Sequence, residues 1–391
     1  MAKKELSTDS IREILCRLPV KSLLRFKSVS KPWCCLIDDP YFINFHLKHS
    51  TETNRDLSVI AESSISPINL LCSQGLDPPD KFVEINLPVE INPPAETNSV
   101  EGITLLGSCN GLICCLIRLN DFQNVIIWNK STGDIHVTRW PRYGTRNKEE
   151  HSPCLMQHGF GYDSINDDYK VVGISCIHAE TKVYSLRNNT WKSTHKGLPF
   201  INALTNNERK GLIVGGALHW MAGLDWNTGN PNIVVAFDLN TEVFHNISLP
   251  KPPENCTALG ALGGCLTVTC WEEETDSPSG IIEIWVMEGL VKKSWTRLLR
   301  VSASEGMLME HLRPLAYSRD GNKILLKPEY WRDFLWYNLR NGEVERIPTN
   351  HQVWTIDICL DTLVSVSAYR RLGQLRKRNR NQYVIMPSKC F

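Results

Sequence analysis

Residues 6–47 read LSTDSIREILCRLPVKSLLRFKSVSKPWCCLIDDPYFINFHL. Ile11, Ile14, Leu15 and Leu18 recur at the spacing of one helix face, with Arg12, Glu13 and Arg17 opposite. Ser10, with Glu13 three residues on, can form a capping box, or Ser7 or Thr8 opens the helix instead. Pro19 ends it, because proline lacks the amide proton the next turn needs and disfavours helix at the residue before it. A second short helix carries Val20, Leu23 and Leu24 on one side and Lys21 and Arg25 on the other. Ser30 caps a third, with Pro32 in its first turn and Trp33, Leu36 and Ile37 on its face. Asp39-Pro40 opens a fourth, which holds Tyr41, Ile43, Phe45 and Leu47. A unit of roughly 40 residues has more apolar surface than it can bury alone, so the helices need a neighbour. That neighbour is either the rest of this chain or a foreign protein.

From about residue 57 the pattern changes to runs rich in Val, Ile, Leu, Trp and Tyr, broken by Gly, Asn, Asp and Pro, the signature of many short strands. Asn110-Gly111, Thr132-Gly133, Asn166-Asp167-Asp168, Gly263-Gly264, Asp320-Gly321-Asn322 and Asn341-Gly342 supply residues that tolerate the positive φ of tight hairpins. A self-similar unit recurs: an aromatic strand, a polar turn, and a strand that ends at Pro or a hydrophobe. Its copies begin at Ile126, Val183, Val235, Ile284 and Leu335, spaced by roughly 50 residues, the period of kelch-type blades. One such sheet cannot bury its faces, whereas a closed ring of sheets can. The expected fold is segregated α+β, with a small helical head followed by an all-β, propeller-like body of about six irregular blades. A pair of β-sandwiches is the alternative. The expected boundaries are 1–50 for the head, 51–368 for the body and 369–391 for a basic tail. Trp354–Ile358 and Leu363–Val366 read as a final strand pair that closes the ring near Leu57–Ala61.

The helical segment resembles an F-box, the motif that binds the Skp-type adaptor of cullin-RING ubiquitin ligases. The matching pieces are Ile14-Leu15-Cys16-Arg17-Leu18-Pro19-Val20-Lys21-Ser22-Leu23-Leu24-Arg25, Val29-Ser30-Lys31-Pro32-Trp33 and Leu36-Ile37-Asp38-Asp39-Pro40-Tyr41-Phe42. The family usually begins with Leu-Pro, whereas here Ser7 follows Leu6. The resemblance implies that Leu6, Ile11, Ile14, Leu15, Leu18, Pro19, Leu23 and Leu24 lie at or beside the adaptor contact, while Trp33, Leu36 and Ile37 hold the helices together. The body is similar to the plant F-box-associated domain of the F-box/kelch-repeat group. The stretches that carry this are Ser108-Cys109-Asn110-Gly111-Leu112, His158-Gly159-Phe160-Gly161-Tyr162-Asp163-Ser164, Asp167-Asp168-Tyr169-Lys170-Val171-Val172, Gly216-Ala217-Leu218-His219-Trp220, Ser294-Trp295-Thr296 and Arg313-Pro314-Leu315.

Composition sets limits on the rest. The 391 residues are 42% hydrophobic and 22% charged with a formal net charge of +1, so no global field favours nucleic acid or an anionic membrane. No long apolar run predicts a membrane span, and MAKKELSTDS lacks the apolar core of a signal peptide, so the expected location is cytoplasm, nucleus or both. The 14 cysteines are then expected to be thiols, and no Cys-x-x-Cys or finger-spaced His pair suggests a metal site. Gly159-Phe160-Gly161 and Gly215-Gly216 lack the Lys-Ser of a phosphate loop and read as close-packed strands or turns. Asp163, Asn166, Asp167 and Asp168 do not match a calcium loop and read as a hairpin turn. His219 has no visible nucleophile partner and reads as structural. Loops 142–153, 224–231, 272–280 and 330–333 are candidates for target binding. Tail residues 370–380 read as a nuclear signal, an anion-binding arm or a solvated tail.

The resulting expectation is a non-catalytic receptor subunit of an SCF-type E3 ubiquitin ligase. Its partners are the Skp-type adaptor, the cullin reached through it, and a target protein the sequence does not name. No cofactor, nucleic acid or membrane is expected. The rival readings are a non-degradative docking scaffold and a kelch-propeller enzyme.

Overall fold

The computed structural model describes residues 7–54, 56–63, 70–73, 75–76, 79, 81–85, 100–119, 122–141, 156–175, 178–194, 209–222, 233–252, 255–273, 280–289, 294–303, 312–328, 333–349, 351 and 353–371. Helices α1 (Thr8–Leu15), α2 (Val20–Phe26), α3 (Lys31–Asp38) and α4 (Pro40–Glu52) form the head. The body follows in groups of strands. These are β1 (Leu57–Ser63), β2 (Leu70–Ser73) and β3 (Phe82–Glu84); β4 (Val100–Cys109), β5 (Leu112–Leu119), β6 (Phe122–Asn129) and β7 (Ile135–Arg139); and β8 (Met156–Asp163), β9 (Asp168–Ser175), β10 (Glu180–Ser185) and β11 (Thr190–Thr194). Next come β12 (Leu212–Val214), β13 (Ala217–Ala222), β14 (Ile233–Asp238) and β15 (Phe244–Ile247), then β16 (Cys256–Leu262), β17 (Cys265–Glu273), β18 (Gly280–Glu288) and β19 (Ser294–Ala303). The last group is β20 (Leu312–Tyr317), β21 (Lys323–Pro328), β22 (Phe334–Asn338) and β23 (Val344–Ile347), followed by β24 (Val353–Leu360).

Among the described residues these strands make six four-stranded antiparallel sheets, the blades of a propeller. Five blades are consecutive meanders, and the first is a composite in which β24 pairs with β1 to give the order β24-β1-β2-β3. The register Leu57↔Leu360 to Ser63↔Val353 stitches the end of the chain to the start of the body. Six blades and this closure agree with the sequence expectation. The expected second strand of the closing pair does not form. Residues 361–365 are irregular and 366–371 are helical. Leu363–Val366 alternates like a strand, but β24 already fills the inner position of the first blade.

Apolar strand faces pack blade on blade. Cys114 lies in the core between the second and third blades, and its neighbour Cys115 lies in the core toward the first blade, as the two-residue period of a strand requires. Gly161 on β8 abuts the fourth blade so closely that a Cβ would stand 2.5 Å from Ile213 Cδ1. At the first hairpin of the second blade, Asn110 has φ 51° and Gly111 φ 78°; a Cβ on Gly111 would meet Thr362 Oγ1 at 2.4 Å.

Charge is buried at the seams. Lys170 Nζ lies 2.8 Å from Asp163 Oδ2 and 3.2 Å from Glu242 Oε1, joining the third blade to the fourth. His219 is buried, with Nδ1 3.3 Å from Leu212 O, a structural place. Lys210, just ahead of β12, is bridged to His158 of the third blade and reaches the first blade. Its Nζ donates to Ile356 O at 2.6 Å and pairs with Asp357 Oδ2 at 3.0 Å, and Asp357 in turn accepts the Ser108 amide at 2.8 Å. Nearby on β1, Glu62 accepts the Leu105 amide.

Burial pushes the Glu62 carboxyl up to about 7, against the Leu105 hydrogen bond and the positive charge of Lys210. An unfolded glutamate releases its proton near ~4.3, so between these values the folded state binds more protons than the unfolded. Stability from this group is therefore full at low pH, falls as pH rises through that window and levels off above it. Glu62→Gln removes the titration. Denaturant melts at about pH 4.5 and about pH 7.5 should show the parent losing about 2–3 kcal/mol relative to Glu62→Gln. Equal pH slopes for the two proteins would rule this out.

Candidate functional site

The head is built from capped short helices. Ser7 caps α1 by accepting the Ser10 amide at 3.1 Å, so of the sequence alternatives the Ser7 start holds and the Ser10–Glu13 box does not form. Pro19 stands at the N-cap of α2. Ser30 caps α3, accepting the Trp33 amide at 3.4 Å, and Asp39 caps α4, accepting the amides of Tyr41 at 2.8 Å and Phe42 at 3.1 Å. His46 on α4 reaches back to Leu18 O with Nε2 at 3.0 Å, which satisfies a carbonyl at the end of the first helical turn region. Burial lowers the His46 pKa, favouring the neutral ring.

These helices enclose Leu15, Cys16, Val20, Leu23, Ile37 and Phe42 together with Leu363 from the far end of the chain. Ile11, Leu18, Leu24, Phe26, Trp33, Leu36, Ile43 and Phe45 pack around that core and are partly buried. Phe26 and Trp33 meet edge to face at 5.4 Å. The head keeps large apolar groups in solvent: Ile14 is 53% exposed, Val29 62% and Tyr41 66%, and Pro19 is exposed as well. The Arg12 guanidinium lies 5.4 Å from the Tyr41 ring, tying the first helix to the fourth. The propeller therefore covers one side of the head, through Ile43, Leu47 and Leu363, and leaves the Ile14 side open.

Both connections between head and ring lie at one end of the propeller. β1 starts there at Leu57 and β24 finishes there at Leu360. The strand-joining turns at this end are tight, such as Asn110-Gly111, Gly215-Gly216 and Gly263-Gly264. The other end receives the wider spans 85–99, 140–155, 195–211 and 223–232. The candidate loops 142–153 and 224–231 lie outside the described residues, as do most of 272–280 and 330–333. The described strand ends that flank all four are at the end away from the head.

A family model of the F-box domain matches residues 4–45, and one of the F-box associated beta propeller domain matches residues 80–350. The chain belongs to the F-box-associated β-propeller family. It is similar to F-box protein CPR1 of Arabidopsis thaliana, 29% identical over 385 residues that cover 91% of this chain and 88% of the relative. It is also similar to an F-box/kelch-repeat protein of the same plant, 28% identical with 86% and 88% covered. An F-box joined to a substrate-binding propeller is the arrangement typical of SCF F-box receptors, and F-box domains bind Skp-type adaptors.

Within the F-box, the residues the sequence points to divide by position. Ile14 and Pro19 face solvent; Ile11, Leu18 and Leu24 are partly buried; Leu15 and Leu23 are inside. Leu6 lies outside the described residues. Trp33, Leu36 and Ile37 sit in or against the helical core. Val29 and Tyr41 are exposed apolar residues outside the expected adaptor-contact set; the sequence places Tyr41 only within the fourth helix and Val29 on no helix face. Their signal was available: each is a large hydrophobe placed where a helix begins or ends, next to Ser30 and Pro40. No group of His, Cys, Asp or Glu with metal-holding geometry occurs among the described residues, and no described helix is long and apolar enough to cross a membrane.

This division can be measured. Leu23→Ala should cost about 2–5 kcal/mol in the F-box unfolding transition, the usual range for emptying a closed core. Ile14→Ala should change it by no more than about 0.5 kcal/mol. Equal destabilisation would mean that Ile14 is a core residue.

Proposed function

We propose that this protein is the substrate-recognition subunit of an SCF-type E3 ubiquitin ligase. The F-box docks the Skp-type adaptor and, through it, the cullin; the propeller holds a target protein for ubiquitination and proteasomal degradation. The chain itself makes and breaks no bonds. It raises the effective concentration of target lysines near the charged ubiquitin-conjugating enzyme. The protein works in the cytoplasm, the nucleus or both.

The observation that carries this reading is the uncovered apolar side of the F-box. Ile14, Val29 and Tyr41 are each more than half exposed although a large β domain packs on the same helices. Together with the F-box motif itself, these exposed apolar groups support docking to a partner. Ile14 and Pro19 form the centre of the proposed contact, with Ile11, Leu18 and Leu24 supporting it from below; Leu15 and Leu23 act only by holding the helices. The target is proposed to bind the propeller end away from the F-box, where the described strand ends flanking the candidate loops lie and the adaptor does not compete for space.

Purified full-length chain and Skp-type adaptor test the docking face by titration calorimetry. Ile14→Asp with Pro19→Ala should weaken binding by about 30-fold or more, the loss expected of a contact hot spot. Parental affinity in the double variant, with the propeller still folded by circular dichroism, would refute this face.

A further inference from the structure

We infer that the segment 361–371, after the ring has closed, is a positioning strap that fixes the F-box on the propeller. The inference rests on the ligase reading only for its consequence, which is the distance and angle between the adaptor contact and the target-binding end. The tie itself stands on the following geometry.

A single covalent joint links the F-box to the ring through Thr53 to Asp56, a tight passage in which Asn54 and Asp56 have φ 48° and 56°. One joint leaves swivel freedom. The strap supplies a second tie. Its first residue, Asp361, donates its amide to Asp56 O at 3.2 Å and pairs with Lys130 at 2.6 Å. Thr362 Oγ1 donates to Asn110 O at 3.0 Å, and Asn129 Nδ2 donates to Thr362 O at 3.0 Å and Val364 O at 2.8 Å. Leu363 then turns into the F-box core and is only 4% exposed, while Val364 and Val366 enter the core between the second and third blades. Leu363 and its neighbour Val364 thus enter two different hydrophobic cores.

The strap is also held at its far end. Ser365 Oγ donates to Asp134 Oδ2 at 2.6 Å, and the Ser367 amide donates to the same oxygen at 3.0 Å. Burial raises the Asp134 carboxyl, but hydrogen bonds from Ser365 and Ser367 outweigh it and leave the group below its ordinary value, so the grip persists across neutral pH. Tyr369 closes the strap edge-on against Tyr169 of the third blade at 5.0 Å. Ile43 of α4 touches both cores from the other side. The F-box and the ring therefore behave as one body, and the adaptor contact keeps a set orientation to the far end of the propeller.

Two substitutions test the strap from opposite sides. Leu363→Ser withdraws it from the F-box core. Asp134→Ala removes its anchor on the second blade and touches neither the F-box nor the β1–β24 pairing. Both are studied in the full chain by hydrogen exchange, small-angle scattering and adaptor titration. The expected result for each is about a tenfold or greater loss of amide protection at 53–57 and 366–371, a broader distance distribution in scattering, and retained protection in the blade strands. Adaptor affinity stays at the parental value, because Ile14 and Pro19 are untouched. Parental exchange and scattering in Asp134→Ala overturn the strap, including the case where Leu363→Ser fails to fold. Failure of the parent to bind adaptor would instead overturn the ligase reading, and the exchange and scattering results would still decide the strap.

Discussion

Every placement in this molecule follows from the pairing of β24 with β1. A propeller has no stable open form of the same shape, because an unclosed ring exposes the face of its first and last sheets and their strand edges. Here closure is made by backbone hydrogen bonds from Leu57↔Leu360 to Ser63↔Val353. That pairing brings residues 56 and 361 together at one end of the ring. Whatever precedes β1 and whatever follows β24 must then meet, and this is why a leucine at position 363 can finish the core of helices formed by residues 8–52. Lys210, bridged to His158 of the third blade, reinforces the same strand through Ile356 O and Asp357.

Closure also divides the two ends of the ring by length of connection. At the F-box end the strands are joined by turns such as Asn110-Gly111 and Gly263-Gly264, whose positive φ values need Gly or Asn. Ile43 and Leu47 of α4 and the strap pack against the blades at this end. The other end takes the longer spans, where sequence can vary without disturbing the blades. Scaffold and recognition are in this way assigned to opposite ends of one ring, and the strap keeps the assignment fixed in space.

The sequence revealed the blades because the two outer strands of each meander share an aromatic strand, a polar turn and a hydrophobic stop. Five such pairs were legible at Ile126, Val183, Val235, Ile284 and Leu335. The composite first blade shows no such copy, since its strands come from both ends of the body, although the return of the Trp354–Ile358 region to Leu57–Ala61 was legible from its hydrophobic pattern. Leu363–Val366 misled for a physical reason: a short run rich in Val and Leu reads as a strand, but here Leu363 fills the F-box core and Val364 and Val366 fill the core between the second and third blades. The F-box was legible as a unit, but its inside and outside were not. Ile14 and Leu15 lie on the same apolar face of a helix of eight residues, so they look alike until the packing shows that Leu15 turns inward and Ile14 outward.

The buried charges were the least legible feature, and they have a distinct role in the fold. Lys170 meets Glu242 and Lys210 meets Asp357 across long sequence separations, which no local pattern can show. Six sheets with similar apolar faces could stack with strands slipped along one another at little loss of buried area. A buried lysine removes that tolerance, because any slip leaves an ammonium without its carboxylate, a state worth about 3–5 kcal/mol in destabilisation. Lys170 sets the third blade against the fourth, and Lys210, whose backbone is bridged to His158 of the third blade, ties that blade's inner edge to the first. Tyr169 is on the third blade, and the second blade, which carries Asn110, Asn129 and Asp134, is tied to the first where Asp357 accepts the Ser108 amide; these are the groups that grip the strap. Register inside the ring and orientation of the F-box outside it are therefore one continuous constraint, passed from buried ion pairs through the blade turns to Leu363.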